Sequence, residues 1–80
     1  MIRISKTTRL TSDEIIRRAA TFFGKGGEGL EQTSLQPCCA SFAGGGGHVS
    51  VFVTDEETQR TVDVESREFE YQAKRFLELV

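Results

Sequence analysis

The first ten residues alternate. Ile2, Ile4, Thr8 and Leu10 fall on one side of an extended chain and Arg3, Ser5, Thr7 and Arg9 on the other, which predicts a strand with one wet face. The period then changes from two to about 3.6. Ile15, Ile16, Ala19, Ala20, Phe22 and Phe23 form a broad apolar stripe at helical spacing, with Arg17, Arg18 and Thr21 opposite. Thr11-Ser12-Asp13-Glu14 reads as a capping box, in which the Thr11 hydroxyl accepts from the Glu14 amide and Glu14 reaches back to Thr11. Leu10 and Ile15 stand where a hydrophobic staple belongs, and Gly24 supplies the stop.

Beyond the glycine-rich connection from Lys25 to Gly29, the stretch from Leu30 to Ala43 is mostly β-like, with Pro37 interrupting it. Proline donates nothing to a ladder, so the stretch is an edge strand, a bulged strand or two short strands hinged near Gln36. Cys38, Ala40 and Phe42 alternate toward one side, and Gly44 to Gly47 end the segment. In the next strand Val49, Val51 and Val53 face the core, while His48, Ser50, Phe52 and Thr54 face away. Asp55-Glu56-Glu57-Thr58 makes a turn, after which Val62 and Val64 alternate with Thr61, Asp63 and Glu65. Phe69, Ala73, Phe76, Leu77 and Val80 then define a last helix packed by one face, with Ser66 as its expected cap and Tyr71 on its charged side.

These elements predict an α+β fold, an antiparallel sheet of four strands, or five if Pro37 divides one, with two helices packed on one face. The order is β-α-β-β-β(-β)-α. In its longer form this order is similar to that of TATA-binding-protein-like and helix-grip folds, which implies a curved antiparallel sheet around a C-terminal helix. Such folds host binding, transport and catalysis alike. The portion from Thr11 onward also resembles a double-stranded-RNA-binding domain in element order. Where that family starts its second helix with basic residues, this chain has Glu65-Ser66-Arg67-Glu68, so no RNA-binding residues are carried over.

Composition narrows the classes. The chain of 80 residues carries 12 acidic and 10 basic side chains, and the basic ones are scattered. No concentrated positive face is expected, so nucleic acid is not an expected partner. The longest apolar run falls far short of the roughly 20 residues of a membrane span, and Met1 to Lys6 shows no signal-peptide pattern. The expectation is one small cytoplasmic domain. Surface scaling for a chain this size gives about 4,800 Å² exposed when folded against about 12,900 Å² unfolded, so roughly 63% is buried. With so little margin, self-association or a protein partner is a natural source of further burial. Cys38 and Cys39 are adjacent, and neighbours on an extended chain point to opposite faces, so both are expected as free thiols.

Several constellations carry candidate chemistry. Gly24-Lys25-Gly26-Gly27-Glu28-Gly29 matches G-x-G-x-x-G, but it follows a helix where a dinucleotide site precedes one, so a helix stop with a loop is the expectation. Gly44 to Gly47 before His48 would admit a close phosphate approach, yet a connection between strands accounts for it. Cys38, Cys39 and His48 are the weak candidates for a catalytic pair. They are too few and too poorly spaced for zinc, and no metal or cofactor is expected. Asp55, Glu56 and Glu57, and the pair Asp63 and Glu65, lack calcium-loop spacing and read as solvated. The favoured function is a non-catalytic interaction or assembly module, possibly homodimeric, binding through the open sheet face with Phe52, His48, Arg3 and Arg9. One alternative is a small-ligand pocket between sheet and helices lined by Phe22, Phe23, Phe42, Phe69 and Phe76; the other is an enzyme using the Cys/His pair.

Overall fold

The computed structural model describes residues 1–80. Its elements are β1 (Ile2–Thr8), α1 (Ser12–Phe23), β2 (Glu31–Gln36), β3 (Cys39–Gly44), β4 (Gly47–Asp55), β5 (Arg60–Arg67) and α2 (Glu70–Glu78). All five strands pair antiparallel in one sheet of order β1-β5-β4-β3-β2. The architecture is the α+β arrangement read from the sequence, in its five-strand version. Pro37 is the reason. It stands in a two-residue loop with Cys38, closed by the pair Gln36 and Cys39, so the β-like stretch becomes a hairpin. A bulge between Gln32 and Ser34 adds local twist to β2, the edge strand.

The central strands are registered by a glycine turn. Gly44 pairs with Gly47, and Gly45 and Gly46 between them have φ of 57° and 84°. A two-residue hairpin loop needs those left-handed conformations to match strand twist, and glycine adopts them without steric cost. Gly47 is fixed for another reason: a Cβ there would collide with the Arg67 carbonyl, the Glu68 side chain and the Phe69 ring.

Helix α1 begins as its cap predicts, with the Glu14 amide donating to Thr11 Oγ1 at 3.2 Å. The reciprocal half of the box is not made. The Glu14 carboxylate instead faces Arg17 (3.8 Å) and Arg18 (3.5 Å), cations one turn along the exposed face. At the far end the amides of Gly27, Glu28, Gly29 and Leu30 turn back onto the carbonyls of Gly24, Phe22, Gly24 and Phe23. Helix α2 corrects a second expectation. Ser66 does not cap it; Ser66 stays buried in β5 and donates to the His48 carbonyl at 3.2 Å. The chain enters α2 through Glu68, whose φ is 75°, and Phe69 takes the cap position without a side-chain bond.

Both helices lie on one face of the sheet, α1 over β3 and β4, α2 over β5 and β1. Ile15, Ala19 and Phe23 from α1 and Ala73 and Phe76 from α2 meet Val49, Val51, Val62, Val64, Ala40 and Phe42 in the core. The rings interlock, with centroids 5.6 Å apart for Phe23 and Phe42 and 5.2 Å for Phe23 and Phe76. Burial of these side chains supplies the main stabilisation of the fold, each phenylalanine contributing about 1.5–3 kcal/mol. Strand β2 lies outside the main helix cover, and its Leu35 is 52% exposed. No helix is long and apolar enough to cross a membrane.

Candidate functional site

Because both helices cover the same side, the opposite side of the sheet is bare. Strand pairing arranges its side chains in rows. Arg67, His48 and Ala43 form one; Arg3, Glu65, Ser50 and Ser41 the next; Ser5, Asp63, Phe52 and Cys39 the third; Thr7, Thr61 and Thr54 the last. Most of these side chains are short and polar. Phe52 is the one aromatic among them, half-buried at the centre.

Charged groups surround that ring. The Arg3 guanidinium carbon lies 5.6 Å from the Phe52 centroid, within reach of the attraction between a cation and a ring face. Glu65 stands between two donors, 3.6 Å from Arg3 Nη1 and 3.9 Å from His48 Nε2. Ser41 and Ser50 share a hydrogen bond of 3.1 Å across β3 and β4. At this separation and exposure the Arg3–Glu65 ion pair is worth about 0–1 kcal/mol. Its effect is to orient Arg3 over the ring and to balance charge on the face.

Of the residues read as binding candidates, the structure gathers Phe52, His48 and Arg3 on this face. Arg9 falls outside it, because β1 ends at Thr8 and Arg9 belongs to the connection into α1. Sequence reasoning missed Glu65 as the group linking Arg3 and His48, and Cys39 as the direct cross-strand neighbour of Phe52.

The cysteines depart most from expectation. Cys38 does not alternate with Ala40 and Phe42 toward the core; it is an exposed residue of the hairpin loop, and Cys39 is half-buried on the open face. The two are joined to each other by a disulfide, so neither is a free thiol. The alternation of faces holds along a strand but not at the step from a loop residue to the first strand residue. Their side chains can therefore meet. Nor do the cysteines reach His48. Cys39 pairs with Phe52, and His48 lies four residues back along β4, about 13 Å at strand rise.

The remaining candidates resolve as structure. Four amides of the Gly24–Gly29 loop and its exit are spent on the carbonyls of Phe22, Phe23 and the cap residue Gly24, so the loop does not present them to an anion. Asp55 binds Arg60 at 2.9 Å and accepts from Ser12 at 3.1 Å, and Glu56 accepts from Thr61 at 2.6 Å, fastening the β4–β5 turn. Phe23, Phe42 and Phe76 are fully buried against one another. The cavity lies on the outer side of the helix pair, about 380 Å³, lined by Phe22, Phe76 and Leu79 with Glu14, Arg17, Arg18 and Thr21. Arg18 crosses it, donating to the Leu79 carbonyl at 2.6 Å.

No protein-family model, curated protein or solved structure matches this chain.

Proposed function

We propose that this protein is a non-catalytic interaction module that associates through its open sheet face, forming a homodimer. The observation that carries this reading is Phe52: an aromatic held half-buried at the centre of an otherwise polar face, with the Arg3 guanidinium 5.6 Å from its ring centroid. Aromatic side chains at the middle of a patch, ringed by polar groups that exclude water, are the usual anchors of protein interfaces.

A second copy suits the face because the patch carries both signs of charge, Arg3 and Arg67 beside Asp63 and Glu65. A two-fold axis sets the same patch against itself, and mixed charge permits complementary pairing. The accessible surface, 4817 Å², agrees with the value of about 4,800 Å² for an ordinary monomer of this size. The folded chain thus has no large excess of surface to hide. The dimer is accordingly a reversible one with a polar rim.

Sedimentation equilibrium from low to high micromolar concentration tests this. A monomer–dimer equilibrium is expected, weakened about thirtyfold or more by Phe52→Ala, the effect of losing an interface hot spot of about 2 kcal/mol. The fold should survive that change because Phe52 lies outside the core. A strict monomer at every concentration overturns the reading.

A further inference from the structure

The Cys38–Cys39 pair is placed as a reactive group rather than a structural staple. A cross-link between adjacent residues closes almost no loop, so it removes little entropy from the unfolded chain. The hairpin also has other supports. The Cys38 carbonyl accepts from the Val53 amide at 2.8 Å, Cys39 pairs with Phe52 on β4, and Pro37 presets the turn. The fold therefore has no need of the bond and accommodates its opening.

The two sulfurs are unequal. Cys38 is exposed at the tip of the β2–β3 hairpin, whereas Cys39 is half-buried beside Phe52. In thiol–disulfide exchange the sulfur that is attacked is chosen partly by access. We propose that Cys38 and Cys39 form a thiol-exchange site for low-molecular-weight thiols, with Cys38 the attacked sulfur and Cys39 the resolving one. This inference does not depend on the docking reading, although Cys39 adjoins Phe52 on the same face.

The small thiolate attacks Cys38 Sγ, forming a new sulfur–sulfur bond as the Cys38–Cys39 bond breaks. The electron pair leaves on Cys39 Sγ, which takes up a proton. A second small thiolate then attacks the sulfur of the bound small thiol and expels the Cys38 thiolate. The small thiol is oxidised to its disulfide, and the protein pair is reduced by two electrons to a dithiol. In reverse, a small disulfide oxidises the dithiol through the same mixed disulfide at Cys38. Cys39 resolves it because the fold holds the two sulfurs in bonding position.

Intact mass and alkylation of the full chain read each step, with glutathione and its disulfide as probes. Unreduced protein should take no alkylating label, and two after reduction by glutathione. Reduced wild-type protein given glutathione disulfide should lose two hydrogens without accumulating an adduct. Cys39→Ser should trap one glutathione on Cys38, while Cys38→Ser should form its adduct at Cys39 at least tenfold more slowly. Circular dichroism of both variants should match that of the wild type. Two labels on the unreduced protein, equal adduct rates in the two variants, or a persistent adduct on the wild type would overturn the proposal.

Discussion

Thr11 and Glu68 show how single backbone positions govern the two helices. The Thr11 hydroxyl satisfies one of the amides that the first turn of α1 leaves without a partner. Thr11→Ala should cost about 1 kcal/mol, read as a lower denaturant midpoint at unchanged slope. Glu68 presents the opposite case. Its φ of 75° places a side-chain-bearing residue in the left-handed region that glycine occupies freely. Glu68→Gly should raise stability by about 0.5–1 kcal/mol, because relief of that conformation exceeds the added freedom of the unfolded chain. A fall in thermal midpoint would show that the Glu68 side chain contributes contacts that outweigh the relief.

Among the elements, α2 depends on a residue from the far end of the chain. Lys6 Nζ donates to the carbonyls of Leu77 (2.9 Å) and Val80 (2.7 Å), placing a cation at the helix C-terminus, where free carbonyls and the helix dipole favour it. Lys6→Met keeps the stem and removes the donor; it should cost about 0.5–1 kcal/mol and speed amide exchange in the last turn of α2. Strand and helix identities were legible where one period ran without interruption, as in Val49 to Val53 and Ile15 to Phe23. The strand count was not, because Pro37 is compatible with an edge, a bulge or a turn, and only pairing partners distinguish them. The open face was half legible. Alternation placed Phe52, His48 and Arg3 together, but the neighbour of Phe52 depends on register. The two-residue turn between Gly44 and Gly47 sets that register, and counting back from it places Cys39 opposite Phe52. Arg9 lies off the sheet face, and alternation says nothing of where a strand stops.

At the scale of the whole molecule, the chain extends 37 by 20 by 17 Å, with β1 and β2 as the two unpaired margins of its sheet. Unpaired strand edges are templates for indiscriminate addition of further strands. Both margins are blunted. On β2 it is the bulge at Thr33. On β1 it is Lys6, which occupies a position on the helix-facing side between Ile4 and Thr8. A lysine on an edge strand disfavours addition of a neighbouring strand, whose side chains would have to pack against its charged side chain. The side chain that fastens α2 thus also limits growth, and Lys6→Met should scatter more light with time on warming than the wild type, even where both remain folded.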